Sequence, residues 1–225
     1  MNITHFANTV EAEFHAWGST NAYPRNPLPY IQVLDDVQAM TTPSTMHMLN
    51  YAVQCMEPGE IYLEVGTWRG ATLIGALLGN GAHGIAIDND TMDEHDEDER
   101  SSADVWRENV QRFGIADRVS YLDGTTPGVW ALPDLTSGRK VGVYFYDGDK
   151  STDEAAFEGL AGIVPYLASE AIIFLDDANV LPIRRAAFKF CRQFFPRAWT
   201  IMDLPTPANC WACFWNGLIA LSWKG

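Results

Sequence analysis

Apolar residues recur along this chain in short runs, and the longer stretches between them mix polar and apolar positions. Seven runs read as strands: Ile61 to Val65, Gly84 to Ile87, Val119 to Leu122, Val141 to Tyr146, Ala171 to Leu175, Trp199 to Met202 and Leu218 to Trp223. Most are rich in β-branched and aromatic residues, and Gly, Pro, Asp and Asn gather at their ends. Among the first five lie segments with the 3–4 spacing of helices: Ala71 to Leu78, Ala103 to Phe113 and Thr152 to Pro165. This alternation predicts an α/β fold of βαβ units, a doubly wound and mostly parallel sheet with helices on both faces. The last two runs are joined without an evident helix, so they are expected as an antiparallel pair at one edge. Open sheets of this kind take ligands beyond the carboxyl ends of their strands, which directs attention to the residues just after each run.

Two stretches interrupt the pattern. Asn21 to Pro29 carries three prolines in nine residues and is expected as an extended loop after a short N-terminal helix. Residues 1–40 are therefore set apart as an extension, a lid or a contact in a homodimer, from a main domain over 41–225. In Asp88 to Glu99 eight of twelve residues are acidic and none is Lys or Arg, so mutual repulsion predicts an exposed loop.

Composition narrows the function. The 225 residues carry a net charge of −14, which opposes nucleic-acid binding, since that relies on Lys and Arg to neutralise phosphates. With 47% hydrophobic and 20% charged residues the chain has enough apolar surface for a core. No run approaches the length of a membrane span and the N-terminus lacks a signal-peptide profile, so a cytoplasmic protein off the membrane is expected. The four cysteines, Cys55, Cys191, Cys210 and Cys213, are too sparse for a disulfide scaffold and are expected as thiols.

The first strand ends in EVGTWRG, an ExGxxxG spacing of Glu64, Gly66 and Gly70 ahead of a helix. Gly66 allows a sharp turn and close backbone approach to a ligand, and Gly70 lets the helix start nearby. A dinucleotide fingerprint needs glycine where Trp68 stands, which argues against NAD and FAD. A tight turn with no ligand is the plain alternative. The second strand ends at Asp88, 22 residues after Gly66, where a carboxylate can accept hydrogen bonds from both hydroxyls of a ribose. The third ends near Asp123, Gly124 and Thr125.

Taken in order, these motifs resemble the class I S-adenosylmethionine-dependent methyltransferases, from about Thr41 to the C-terminus. The resemblance implies a Rossmann-like seven-stranded sheet with an antiparallel last strand. It places Glu64, Gly66, Thr67, Trp68, Gly70 and Thr72 around the methionine side of S-adenosyl-L-methionine, Asp88 at its ribose, and Gly124 with Thr125 at the adenine edge. Asp147 falls at the cofactor's reactive end.

Beyond the fourth strand, DGDKST sets Asp147, Asp149 and Lys150; beyond the fifth, LDDAN sets Asp176 and Asp177. Neighbouring parallel strands bring these four carboxylates and one lysine to one rim, where crowding raises their pKa values unless a cation sits among them. A hard divalent ion such as Mg²⁺ suits such oxygen donors. The pattern resembles metal-dependent O-methyltransferases, both the catechol type and the group related to macrocin and sugar O-methyltransferases. That resemblance gives Asp147, Asp176 and Asp177 to the metal, Lys150 the role of general base, since a lysine beside a metal and a desolvated pocket can have a lowered pKa, and Asp149 a supporting place. In the second group a His commonly stands at the position of Lys150. The alternative is that the carboxylates pair with Lys150, Arg184 or Arg185 and hold no metal. The expected reaction is methyl transfer to a hydroxyl of a small molecule such as a catechol, sugar or secondary metabolite; the rivals are a metal-independent methyltransferase and an inactive cofactor-binding module.

Other features carry less. CWAC at Cys210 to Cys213 has neither the partner ligands of a zinc site nor the placement of a redox motif at a helix start. None of the five histidines shows ligand spacing; His95 lies in the acidic run, and His47, just before the first strand, reads as structural or rim. Trp211 to Trp215, between the last two strands, are placed to overhang the site.

Overall fold

A computed structural model describes residues 1–89, 100–132, 134–207 and 210–225. The chain runs through α1 (Ile3–Thr9), β1 (Phe14–His15), β2 (Tyr23–Pro24), α2 (Leu28–Asp36), α3 (Pro43–Gln54), β3 (Ile61–Val65), α4 (Ala71–Leu77) and β4 (His83–Asp88). It continues through α5 (Ser102–Arg112), β5 (Val119–Asp123), α6 (Thr126–Val129), β6 (Val141–Tyr146), α7 (Asp153–Ala161), β7 (Leu167–Leu175), α8 (Leu181–Gln193), β8 (Ala198–Leu204) and β9 (Leu218–Lys224).

Seven strands form one sheet in the order β5-β4-β3-β6-β7-β9-β8. The first five pair in parallel, and β9 runs antiparallel between β7 and β8. Strands β3 and β6 are wholly buried, as expected where helices cover both faces. Strand alternation divides the core into two layers: Val143, Phe145, Ile172 and Phe174 point to the side of α1 to α5, while Tyr144, Tyr146, Ile173 and Leu175 point to α6, α7 and α8. From β3 the chain winds outward through β4 and β5 before returning to β6 on the other flank, which makes the crevice between the ends of β3 and β6 a switch point.

Several expected boundaries move. Pro29 lies in the first turn of α2, so the proline-rich stretch is extended only in part. Helix α7 stops at Ala161, short of Pro165, and β7 begins at Leu167. The amphipathic helix α8, absent from the reading of the sequence, links β7 to β8 and buries Ile183, Ala186, Ala187 and Phe190 on one face. The first forty residues contribute to a core layer: Phe6 is fully buried and meets Phe174 edge-on, with ring centroids 6.1 Å apart. Of the acidic run only Asp88 and Asn89 are described; residues 90–99, with His95, lie outside the described residues. Among the described residues no helix is long and apolar enough to cross a membrane.

Candidate active site

The turn after β3 is built on left-handed backbone at Gly66, Trp68 and Gly70, with φ of 84°, 45° and 87°. At Gly66 a Cβ would lie 2.2 Å from the carbonyl oxygen of Asp147, so no other residue fits where the ends of β3 and β6 converge. At Gly70 a Cβ would lie 2.8 Å from Cδ1 of Trp106, the α5 side chain packed over the start of α4. Asp88, at the end of β4, accepts from the backbone N–H of Trp68 at 2.6 Å and so ties the second strand end to this turn. The Gly124 N–H, donating to the Asp88 carbonyl at 2.8 Å, adds the third.

Glu64 and Thr72 stand behind this turn. Glu64 is fully buried, accepts from the Tyr62 hydroxyl at 2.6 Å and from the Thr72 hydroxyl at 3.2 Å, and is pushed up to about 7 by burial. Its hydrogen bonds oppose that rise without cancelling it. A carboxyl lifted in the native state keeps its proton where the unfolded chain has released it, so the contribution of Glu64 to stability falls as pH rises from about 4.5 through about 7. Chemical denaturation of wild type and Glu64→Gln across that range should show a steeper loss in the wild type; parallel curves would refute this.

On the other flank, the Asp147 N–H donates to the Val65 carbonyl at 2.9 Å and the Asp176 N–H to the Tyr146 carbonyl at 3.0 Å, which sets the two aspartates at adjacent strand ends. Lys150 donates to Asp147 Oδ1 at 2.6 Å and also to Asp177 Oδ2, bridging the ends of β6 and β7. Asp177, with φ of 52°, also accepts from Asn216 Nδ2 at 3.0 Å. Asp176 is 5% exposed, and its Oδ1 is buried without a hydrogen-bond partner. Burial, with Asp147 and Asp177 adding to it, holds the Asp176 carboxyl well above the usual range. Burial also raises Asp147; Lys150 pulls against it and Asp177 adds to it.

Lys150 sits here between two carboxylates. Burial alone would lower its ammonium, but the facing carboxylates Asp147 and Asp177 outweigh that and hold it above its ordinary value. As placed it is a cation and a donor, not a free base. Arg184 and Arg185 pair elsewhere, with Asp203 at 2.8 Å and Asp153 at 3.1 Å. Asp149 turns toward its own loop, accepting from the Ser151 N–H at 2.8 Å.

A cavity of about 570 Å³ joins the two flanks. Of the residues expected at the cofactor, Gly66, Trp68, Asp88, Gly124, Thr125 and Asp147 line it, and Glu64, Thr67, Gly70 and Thr72 do not. Lys150, Asp176 and Asp177 line it on the far side. Trp215 lines it, whereas Trp211 stacks edge-on against Trp215 at 4.4 Å and is 55% exposed. Met40 also reaches the cavity, and nothing in its sequence surroundings signalled that. His47 does not; it is buried between the Tyr30 hydroxyl, 2.9 Å from Nδ1, and Glu13, 3.4 Å from Nε2. A second cavity of about 520 Å³, beside Ile61, His83 and Val119, lies at the opposite ends of the strands.

The left-handed glycine turn, the Asp88 carboxylate and Asp147 thus line one cavity. Residues 63–178, just over half of the chain, match the family described as a methyltransferase domain. The chain belongs to that family. A catechol O-methyltransferase of Mycobacterium tuberculosis (strain ATCC 25618 / H37Rv) is 34% identical to this chain over 93 residues. That match spans 41% of this chain and 38% of the length of the curated relative. Among solved structures, an O-methyltransferase from Bacillus cereus in complex with SAH has a TM-score of 0.65 at 18% identity, covering 100% of both chains. The O-methyltransferase TomG from Streptomyces achromogenes, in complex with SAM, has a TM-score of 0.64 at 14% identity, covering 88% of this chain and 89% of that one. These neighbours establish the class I, Rossmann-like methyltransferase fold.

The oxygen donors of Asp147, Asp176 and Asp177 suit a hard divalent cation, and the unpartnered Asp176 Oδ1 is a donor still to be satisfied. The ammonium of Lys150, however, stands between Asp147 and Asp177, where such an ion would bind. Among the described residues, no group of three or more His, Cys, Asp or Glu side chains is arranged to hold a metal as placed.

Proposed function

We propose that this protein transfers the methyl group of S-adenosyl-L-methionine to a hydroxyl of a small molecule. The observation that carries the reading is one cavity in which the glycine turn and Asp88 face Lys150 and its carboxylates across the β3/β6 crevice. The O-methyltransferases among the relatives support it, and the name of the mycobacterial relative makes a catechol the first acceptor to assay.

In the reaction the substrate oxygen forms a bond to the methyl carbon as the carbon–sulfur bond breaks, releasing adenosylhomocysteine and the hydroxyl proton. Catalysis rests on holding the oxygen in line with that carbon and handling the proton. The turn at Gly66 and Asp88 hold the donor. Lys150, protonated, stabilises negative charge growing on the oxygen, and the carboxylates beside it take the proton. Bound to Asp147, Asp176 and Asp177, a divalent cation such as Mg²⁺ would acidify the hydroxyl and neutralise the charges that keep Lys150 protonated, restoring it as a base. The bridging position of Lys150 favours a second reading, in which the lysine is the resident cation and no metal is needed.

Calorimetry with adenosylhomocysteine, followed by assays on catechols and sugar diols with Mg²⁺ or with EDTA, tests both levels. Saturable binding and O-methylated product are expected. Failure to bind adenosylhomocysteine would overturn the reading, and turnover indifferent to EDTA would remove the metal from it.

A further inference from the structure

Cys210 and Cys213 take no part in the chemistry above. They flank Trp211 and Ala212 in a turn where the Cys213 N–H donates to the Cys210 carbonyl at 3.4 Å. The base of the turn is pinned by the Cys210 N–H, which donates to the Trp215 carbonyl at 2.8 Å. This geometry sets the two thiol sulfurs 2.8 Å apart. A disulfide bond is about 2.04 Å long, so the sulfurs have about 0.8 Å left to close. Cys213 is fully buried and Cys210 is half-buried, so of the two residues Cys210 is the one with surface within reach of solvent.

The turn is also part of the cleft. Trp215 lines the cavity, Asn216 donates to Asp177 at 3.0 Å, and the Thr42 hydroxyl donates to the Cys213 carbonyl. We propose that Cys210 and Cys213 are a reversible dithiol–disulfide site, oxidised by a low-molecular-weight disulfide, in the turn that carries Trp215 and Asn216 onto the substrate side of the cleft.

The Cys210 thiolate attacks one sulfur of the small disulfide RSSR and expels RS⁻, which takes up a proton. Cys213 then loses its proton and attacks the Cys210 sulfur of the mixed disulfide, forming the internal bond and expelling the second RS⁻. In balance, two protein thiols and one RSSR become one protein disulfide and two RSH; the cysteines lose two electrons and two protons, and the small disulfide gains them. Burial raises the Cys213 thiol to about 11, which disfavours its direct attack on outside reagents and gives Cys210 the first step.

The test is to equilibrate the folded full chain in buffers of graded reduced-to-oxidised glutathione, quench in acid, alkylate in denaturant and digest with trypsin. The peptide 198–224 holds Cys210 and Cys213 and no other cysteine, so Cys55 and Cys191 report separately. In oxidising buffers this peptide is expected two hydrogens lighter and unalkylated, and dithiothreitol should return it to the doubly alkylated form. Cys210→Ser should abolish the change, and Cys213→Ser should accumulate glutathione on Cys210. If burial of Cys213 makes that second variant fold poorly, wild type and Cys210→Ser decide the matter. In the oxidised wild type, hydrogen exchange over residues 210–217 should slow. A peptide that stays doubly alkylated at every ratio that preserves the fold, or one that keeps a stable glutathione adduct in the wild type, would overturn the site. Unchanged exchange would overturn its link to the cleft.

Discussion

Lys150→Ala should lower methyl transfer by about 10²- to 10⁴-fold, the range typical of a group that handles a proton or the charge it leaves behind. Adenosylhomocysteine affinity should barely change. The reason lies in the division of the cleft: Lys150 bonds to Asp147 and Asp177 on the β6/β7 rim, whereas the cofactor-side turn is tied to Asp88. The same substitution leaves Asp147, Asp176 and Asp177 facing one another without a cation. Carboxyls held high in the native state bind protons that the unfolded chain releases, so the variant should be least stable at neutral pH and should recover ground on mild acidification. Kinetics with a true acceptor, calorimetry with adenosylhomocysteine and denaturation at two pH values separate these effects. A variant with full turnover would show that the bridge is structural only.

The second large effect concerns Gly66→Ala. Two costs are combined there, a left-handed backbone and a collision. A comparison with Gly79→Ala separates them, because Gly79 has a similar φ of 71° but a Cβ there meets nothing within 4 Å. Gly79→Ala should cost about 1–2 kcal/mol, the ordinary penalty of that conformation. At Gly66 the new carbon would lie 2.2 Å from a backbone oxygen and 2.8 Å from its carbonyl carbon, and neither can rotate away. The strand ends would have to part, breaking the bond from the Asp147 N–H to the Val65 carbonyl. A total of about 3 kcal/mol or more is expected, with adenosylhomocysteine binding lost. Equal destabilisation at the two positions would mean that close approach to Asp147 is not what requires glycine at 66.

The central strands were legible because burial on both faces leaves an unbroken apolar signature: β3 and β6 coincide with their runs in the sequence. The strand-end carboxylates were legible too, since the sheet topology alone fixes where residues after β6 and β7 meet. Helix α8 was missed although Ile183, Ala186, Ala187 and Phe190 have helical spacing, because Arg184, Arg185, Lys189 and Arg192 dilute it. The protonation of Lys150 could not be read at all. It depends on two carboxylates, one of them 27 positions away in sequence, outweighing burial, and that balance exists only in the folded geometry. The partners of Glu64 were not legible either, since its bonds to Tyr62 and Thr72 follow from strand alternation and from where α4 packs.

The position of β9 between β7 and β8 has a temporal side. A ribosome emits the residues of β8 before those of β9, so β8 has no sheet neighbour to join until the later strand is available. Trp215 and Asn216 immediately precede β9, and their placement waits on the same event. The glycine turn and the parallel strands beside it can form earlier. A nascent chain would thus acquire the glycine turn and the Lys150–carboxylate rim before Trp215 and Asn216 complete the cavity beside them.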